Sequence, residues 1–451
     1  IDGRITIGQT MTIATGFREN ESNTGGRSQL QNIIRGVPYI PILDPTLEGG
    51  YRSPNNSDGS DPTNPIRNAL QDRNLDSNVR VLGTAYAGVE LLPDLKYKFT
   101  AGVDWNNTRN KIIEPIYFDS RGGREFKFLG DRSSYFNGIY LSNQLDYSKN
   151  IGNHFFDVVA IAERQDSNFE SVSAQGQRSS NNLDVLSGAS DQRVQSSISE
   201  NTIFSYVGRL NYEYDSKYFL TASLRRDGSS KFAEDFKYAT FPGLSVGWNM
   251  AEESFLDNMA WLTSLKFRGS WGRVGFEGVG DYASQAGVSN NTSALLDVGG
   301  NLFLGSFVEQ LANPELEWEI TTMTNVGLDL GIFNNRLQFV GEWYFRETDN
   351  LILEVPLPPS QGFSQNTIAN VGSMESWGLD FQVTYYSETD RDFQWDISAN
   401  AGITRNEVIN LSNESATIFN EAVDDTGGFP INRTAAGDPI YSFFGWKTDG
   451  I

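Results

Sequence analysis

Strict alternation of apolar and polar residues is the feature that most constrains this fold. In residues 377–386 one face carries Trp377, Leu379, Phe381, Val383 and Tyr385, and the other carries Gly378, Asp380, Gln382 and Thr384. A period of two residues predicts a β-strand with one apolar and one polar face. A soluble sandwich would bury the apolar face, whereas a closed membrane barrel would expose it to lipid and line a lumen with the polar face.

The connections between such stretches favour the barrel, because short and long connections alternate along the chain. Short turns are predicted at 93–94, 215–217, 251–262 (a compact helical turn) and 334–335, and long loops at 15–77, 108–134, 165–201, 275–315 and 406–439. In an antiparallel meander every second connection lies at the same end. Outer-membrane barrels have short periplasmic turns and long extracellular loops, whereas a Greek-key sandwich has no reason to separate them.

The predicted fold class is therefore all-β, a transmembrane antiparallel up-and-down β-barrel of about 13–14 strands, counting the start of one near Tyr441. A barrel this wide encloses a lumen that its own side chains cannot fill.

The chain has no apolar run of about 20 residues, so a transmembrane helix is not expected. The formal net charge of −22 argues against a nucleic-acid partner, and the absence of cysteine excludes disulfides and thiolate sites.

The alternation also assigns faces in three strands. Lipid-facing side chains are expected at Val326, Leu328, Leu330, Leu379, Phe381, Ile397 and Ala399. Lumen-facing side chains are expected at Asn325, Asp329, Asp380, Gln382, Asp396, Ser398 and Asn400.

No catalytic, cofactor-binding or metal-binding residue is predicted, no cofactor is expected, and substrate-lining residues are left unassigned. The string GLSVG at 243–247 matches a nucleophile-elbow pattern, but it lies inside an alternating strand. His154 is the only histidine and is predicted to be an interfacial or polar strand residue. The DGSD string at 58–61 lacks the later glutamate of a calcium loop, and Glu315 with Glu317 begins a strand without a catalytic cleft.

Aromatic residues in the long loops are the remaining candidates for ligand contact. Such aromatics could stack on sugar rings, and examples are Tyr39, Tyr51, Tyr282 and Phe303.

Several strings resemble the SusC/RagA class of TonB-dependent outer-membrane transporters. They are LRRDGSSKFAEDFKYATFPGLSVGW at 224–248, FRGSWGRVG at 267–275, NPELEWEITTMTNVGLDLGIFNNRLQFVGEWYFRETDNLIL at 313–353, NVGSMESWGLDFQV at 370–383 and GDPIYSFFGWKTDGI at 437–451. Ser376 and Asp380 depart from the family's NxGxxxNxGxE-type strand start. Residues 1–200 resemble the class only in their alternation of apolar and polar residues and of short and long connections.

The residues in these strings are predicted to have structural roles, in turns and hairpins, and not to bind a ligand directly. Asp227-Gly228 is turn chemistry at a strand end, so RDGSSKF is predicted to form a folded rim turn in which Arg226 and Lys231 pair with nearby carboxylates. Asn334-Asn335 suits a hairpin with positive φ.

The resemblance implies a 22-stranded barrel with a plug, importing large nutrients with energy from TonB and paired with a SusD-like surface lipoprotein. Residues 1–451 are then expected to be a partial barrel, without a separate plug or accessory domain, without a TonB box and without the last strands. The expected partners are that lipoprotein, TonB, membrane lipid or lipopolysaccharide, and a glycan or peptide cargo. The expected location is the outer membrane of a diderm bacterium.

The sequence thus predicts a transporter and not an enzyme. A soluble β-rich glycan-binding or adhesion module is the alternative, and glycan and peptide cargo cannot be distinguished from the residues.

Overall fold

The structure is a computed structural model. It describes residues 4–21, 28–47, 49–54, 56–59, 62–120, 122–295, 302–355, 357, 359–388, 392–411, 417–419 and 430–446. Thirteen strands form one large antiparallel sheet: β1 Ile5–Asn20, β2 Arg73–Leu92, β3 Leu95–Glu114, β4 Lys127–Ile151, β5 His154–Arg178, β6 Ser190–Tyr214, β7 Tyr218–Ser229, β8 Tyr238–Asn249, β9 Leu262–Phe276, β10 Glu319–Ile332, β11 Leu337–Asp349, β12 Ser373–Tyr386 and β13 Asp396–Asn410.

Small elements occupy the connections. There are two short helices, α1 Gln29–Arg35 and α2 Pro65–Gln71, and single 3-10 turns at Asn56–Asp58, Met250–Glu252 and Pro359–Gln361. Hairpins pair Tyr117–Asp119 with Gly122–Arg124, Gly287–Leu295 with Leu302–Gln310, and Ile352–Val355 with Thr367–Asn370. A three-stranded sheet joins Thr417–Phe419, Asn432–Ala435 and Ser442–Phe443. Among the described helices, none has the length and apolarity needed to cross a membrane.

Each strand of the large sheet pairs with its neighbours in sequence, as in an up-and-down barrel, and within the described residues β1 and β13 each have one partner. The predicted short turns are confirmed at 93–94, 215–217 and 334–335. Asp94, Asp215 and Asn334 adopt φ of 72°, 54° and 55° there, in the left-handed region that Asn and Asp tolerate in tight turns. The predicted helical turn at 251–262 is mostly non-helical, because a single 3-10 turn is followed by successive hydrogen-bonded turns.

The predicted long loops at 108–134 and 165–201 are largely wrong. Strands β4, β5 and β6 are each 25 residues long, or roughly 80 Å, whereas a strand crosses a bilayer with about 10 residues. The remaining residues project beyond the apolar band. Both faces of these projecting ends are mostly polar, so regular alternation disappears from the sequence while the backbone ladder continues.

The other predicted long loops contain more structure than expected. Residues 15–77 include the end of β1, both helices and the start of β2, and 275–315 include the hairpin of 287–295 with 302–310. In 406–439, β13 continues to Asn410, and 412–416 and 420–429 lie outside the described residues. The segment near Tyr441 joins the small three-stranded sheet and is not a strand of the large one.

A compact hydrophobic cluster at the long-loop end joins β8 and β10 to the connections around them. Its buried side chains are Phe232, Phe241, Val279, Leu316 and Trp318. The Trp318 indole N–H donates to the Lys237 carbonyl at 3.1 Å, and its ring lies 5.3 Å from that of Phe232. Residues of the family-like strings at 224–248 and 313–353 therefore pack against each other in this cluster. This packing accounts for the apolar residues that the two strings contain there.

Candidate functional site: the two faces of the barrel wall

The register aligns the predicted lipid-facing residues in one continuous row. Directly paired residues run through His154, Tyr214, Tyr218, Trp248, Phe267, Leu328, Gly341, Phe381 and Ala401, across nine strands. The row starts at the first residue of β5 and reaches the sixth residue of β13. This stagger of the strands is the shear that a barrel requires. The shared face of the three strands assigned from sequence is confirmed.

The apolar face of the wall is uncovered, as a lipid-facing surface must be. Val326 is 53% exposed and Ile397 is 63% exposed, and Leu328 is only half-buried, with no second sheet over it among the described residues. A sandwich core would bury these side chains. The soluble-sandwich alternative is therefore inconsistent with this sheet.

Aromatic rings cluster on the apolar face at the short-turn end. The ring of His154 lies 4.7 Å from that of Tyr214, Tyr214 lies 6.3 Å from Tyr218, and Tyr218 lies 6.4 Å from Trp248. A His154 ring nitrogen also hydrogen-bonds the Tyr212 hydroxyl at 2.8 Å. Such a belt is typical of membrane–water interfaces, in agreement with the interfacial position predicted for His154.

The opposite face carries a first ion network on β9 to β11. Arg268 binds the Asp329 carboxylate through Nε and Nη2 at 2.9–3.1 Å, and Nη1 reaches Glu342 at 3.1 Å. Gly327 lies between these partners, and a Cβ there would come within 2.8 Å of the Arg268 guanidinium. The glycine thus leaves room for the arginine to lie flat along the wall.

A second network crosses β4 to β7. Arg225 donates to Asp227 at 2.7–2.8 Å, to Glu163 at 3.0 Å and to the Ser205 hydroxyl at 3.0 Å. The Tyr140 hydroxyl donates to the other oxygen of Glu163 at 2.8 Å. Four strands are therefore tied together on the polar face. Sequence reasoning missed both networks, although charged residues at polar positions of alternating strands were the available signal.

Further from the short turns the polar face becomes a surface of amides and hydroxyls. Asn78 donates to Asn106 at 2.5 Å and to Thr108 at 2.9 Å, and Asn110 donates to Asn74 at 2.6 Å. A cavity of ≈ 790 Å³ on β4 to β6 is lined by Arg132, Ser171, Ser173, Val194, Gln195, Ser196 and Ser197. Two smaller cavities, of ≈ 300 and ≈ 600 Å³, lie along β7 to β11 and along β7 to β10, respectively. This surface can hydrogen-bond a polar ligand.

The sequence motifs take structural roles. The GLSVG string lies within β8 as predicted, and Ser245 pairs with Ser270 in the ladder. Glu317 accepts from the Asn350 side chain at 2.7 Å and so joins two rim connections. Asp58 begins the DGSD string and lies 3.6 Å from Arg52, whereas residues 60–61 of that string lie outside the described residues.

The RDGSSKF rim turn is confirmed in part. Lys231 approaches the Glu277 carboxylate at 3.9 Å and donates to the Glu277 carbonyl at 3.4 Å. Arg226 instead stacks over the Tyr238 ring at 5.2 Å, and the neighbouring Arg225 takes the carboxylates. The pairing assigned to Arg226 was therefore wrong by one residue, because adjacent strand residues face opposite sides.

The loop aromatics do not form one site. Tyr39 is exposed and its hydroxyl donates to the Asp58 carbonyl at 2.5 Å, and Tyr51 forms an isolated bridge with Leu43. Tyr282 is exposed with a φ of 64°. The side chain of Phe303 lies outside the described residues.

Titratable groups at the long-loop end are held by specific partners. Burial raises the pKa of the Glu114 carboxyl, although Arg124 lies 3.1 Å away. A hydrogen bond from Lys127 lowers the pKa of Asp184 in the connection between β5 and β6. Among the described residues no group of three His, Cys, Asp or Glu side chains could hold a metal ion.

The family model described as "TonB dependent receptor-like, beta-barrel" matches residues 16–443. The chain belongs to this family of outer-membrane β-barrels, and its resemblance to the SusC/RagA class is confirmed by its relatives. It is 30% identical over 439 residues to the TonB-dependent receptor P3 of Formosa agariphila, covering 95% of this chain and 42% of that receptor. It is 32% identical over 327 residues to the TonB-dependent receptor SusC of Bacteroides thetaiotaomicron, covering 71% of this chain and 32% of SusC.

Solved structures share the fold. The RagAB peptide transporter superposes with a TM-score of 0.82 at 22% identity, covering 98% of this chain and 48% of that chain. The ferric-catecholate import receptor Fiu of E. coli gives a TM-score of 0.52 at 8% identity, covering 95% of this chain. The chain thus spans less than half the length of these curated relatives and of the RagAB chain.

Proposed function

We propose that this chain is part of the wall of a SusC-like transporter that imports large nutrients, either glycan or peptide, across the outer membrane. One observation carries the proposal. The thirteen-stranded sheet has an uncovered apolar face with an aromatic belt, and an opposite face of ion networks, amides and hydroxyls. Only a wall between lipid and a wet lumen needs both faces at once.

The partners in this proposal come from the relatives. SusC and the RagAB peptide transporter support pairing with a SusD-like surface lipoprotein at the extracellular end, and the family supports energy from TonB. A plug and the remaining strands would be supplied by the rest of the transporter. The short turns then face the periplasm, and the long connections, with the projecting ends of β4 to β6, stand outside the membrane.

Uptake by cells tests the proposal. Cells that express the whole gene with its neighbouring lipoprotein gene should take up a fluorescent oligosaccharide or oligopeptide, and uptake should stop in a strain without TonB. A panel of both cargo classes identifies the class, and a mixture of monosaccharides and free amino acids is the control. Uptake that continues at the same rate without TonB, or without this gene, would contradict the proposal.

A further inference from the structure

Two arginines lie on the lipid-facing side of the wall, far from the short turns. Arg226 has the same parity as Tyr218 on β7, and Arg273 has the same parity as Phe267 on β9. Tyr218 belongs to the aromatic belt, and Arg226 follows it by eight residues, or roughly 27 Å of strand. A strand crosses a bilayer with about 9–11 residues. Arg226 therefore lies at the opposite membrane interface.

The two arginines flank β8 at this interface. Arg226 pairs with Thr240 in the ladder. Gly272, the residue before Arg273, pairs with Gly243, which places Arg273 on the other side of β8. Two strand spacings, about 10 Å, separate the two backbones, and the exposed side chain of Thr240 lies between them on the same face.

Both arginines are exposed and lack a hydrogen bond or an ion pair among the described residues. The neighbouring Arg225 faces the lumen and differs in this respect, because it donates to Asp227 at 2.8 Å and to Glu163 at 3.0 Å. The charges of Arg226 and Arg273 are thus available to a ligand on the lipid-facing side.

Aromatic rings hold the two guanidinium groups in place. Arg226 lies 5.2 Å from the Tyr238 ring centroid, and Arg273 lies 6.0 Å from that of Trp271. Tyr238 pairs directly with Gly228, and a Cβ at Gly228 would collide with the ring, so the ring lies across β7 beside Arg226. Contact through the face of a guanidinium leaves its in-plane N–H groups free to bind an anion.

The surface next to the arginines is apolar toward mid-membrane. Leu224 and Leu244 are 55% and 48% exposed. Leu224 precedes Arg226 on the same side of β7, and Leu244 pairs with Trp271, which precedes Arg273 on the same side of β9. A ligand that matches this surface has an anionic head and an apolar tail.

The basic site is confined to β7–β9. Glu347 faces the same side, but it pairs with Thr322, the ladder partner of Arg273, and so lies two strands from that arginine. Strands β7–β9 each have two neighbours in the sheet, so this part of the wall is complete within the described residues.

We propose that Arg226, Arg273 and Thr240 bind the phosphorylated sugar headgroup of lipopolysaccharide, with its acyl chains against Leu224 and Leu244. The inference rests on the proposed function, which places this end of the strands at the outer leaflet. Guanidinium N–H groups match phosphate oxygens in pairs, and the hydroxyl can bind a sugar. Free phosphate would make no use of the apolar surface.

Binding of lipid A to the full-length transporter, delipidated in detergent, tests the site. Native mass spectrometry of the titration should show that the Arg226→Gln/Arg273→Gln variant binds phosphorylated lipid A about tenfold more weakly than the unmodified protein. Lys149→Gln is the matched control. Lys149 also has lipid-facing parity but lies at the short-turn end, where it pairs with Asp94 at 3.3 Å, so its substitution should change affinity less than about twofold.

Other ligands identify the chemistry that is recognised. The unmodified protein and the arginine variant should bind dephosphorylated lipid A with equal affinity. For phosphatidylglycerol and for inorganic phosphate, the arginine substitutions should change affinity less than about twofold. Heat-modifiable migration on gels shows that each barrel is folded.

Equal affinity of the folded variant and the unmodified protein for phosphorylated lipid A would overturn the site. A tenfold loss that extends to phosphatidylglycerol would also overturn it, because the arginines would then attract any anionic lipid. Either result leaves the transporter proposal standing. Cargo uptake by the unmodified protein is measured separately, and uptake that does not depend on TonB would contradict the transporter proposal whatever the lipid result.

Discussion

Arg268 on β9 binds both carboxylate oxygens of Asp329 on β10, at 2.9–3.1 Å, on the polar face of the wall. The next residue toward the start of β10, Leu328, points to the opposite face and pairs with Phe267 in the apolar row. Of these two adjacent residues, Leu328 therefore faces lipid and Asp329 faces the lumen. Substitutions at the two positions should change the stability of the barrel by different amounts and for different reasons.

Leu328→Arg should destabilise the folded barrel by about 2–4 kcal/mol, because it places a charge on the lipid-facing side near mid-membrane. Asp329→Asn should be mild, since Arg268 keeps its bond to Glu342 at 3.1 Å. Urea titration of the full-length protein refolded into lipid vesicles measures both. Equal losses in the two variants would show that the faces are not assigned as the register indicates.

Two glycines on the polar face should respond differently to alanine. At Gly378 a Cβ would lie 2.4 Å from the Ile403 carbonyl oxygen, which is backbone and cannot move aside, so Gly378→Ala should cost about 1–3 kcal/mol. At Gly327 the close neighbour is the flexible end of Arg268, so Gly327→Ala should cost much less. Thermal unfolding in the same detergent compares the two, and a larger loss for Gly327→Ala would contradict the reasoning.

The connection at 179–189 should open in acid. Lys127 is buried, donates to the Asn181 and Leu183 carbonyls at 3.1 and 3.0 Å, and pairs with Asp184. The pKa of Asp184 is lowered from 3.8 in the folded state. Its contribution is therefore present above pH 3.8 and is lost as the pH falls through the lowered folded value.

Hydrogen exchange on peptides that cover 179–189 measures this opening. Exchange should be slow at pH 5 and faster near pH 3, after correction for the intrinsic rates. Asp184→Asn should show the faster corrected exchange at pH 5. Asp191→Asn, in the same region but outside this pair, is the control, and an identical response in both variants would contradict the role of Lys127.

Sidedness can be read with single cysteines in a full-length protein whose other cysteines are replaced by serine, and residues 1–451 contain none that need replacing. A cysteine at Ser187, between β5 and β6, should react with a membrane-impermeant maleimide on intact cells. A cysteine at Ser216, in the turn between β6 and β7, should react only after the outer membrane is permeabilised. Labelling in the opposite order would reverse the proposed topology.

The sequence alone determined the existence of the strands that lie in the membrane, their faces and their tight turns. Alternation is forced wherever one face meets lipid and the other meets water, and Asp94, Asp215 and Asn334 stand where a turn needs positive φ. The GLSVG string could be assigned to a strand for the same reason, since its neighbours alternate, whereas the position of His154 was predicted from the short turn before it.

Only the tertiary structure decided how far the strands run and which residues meet across them. The projecting ends of β4 to β6 are mostly polar, and their few apolar residues do not alternate regularly, so no periodic pattern marked them as strands. The partners of Arg225 and Arg268 depend on register, which is set by turn lengths and strand stagger. The hydrophobic cluster around Trp318 depends on contacts between residues far apart in sequence, which local periodicity does not encode.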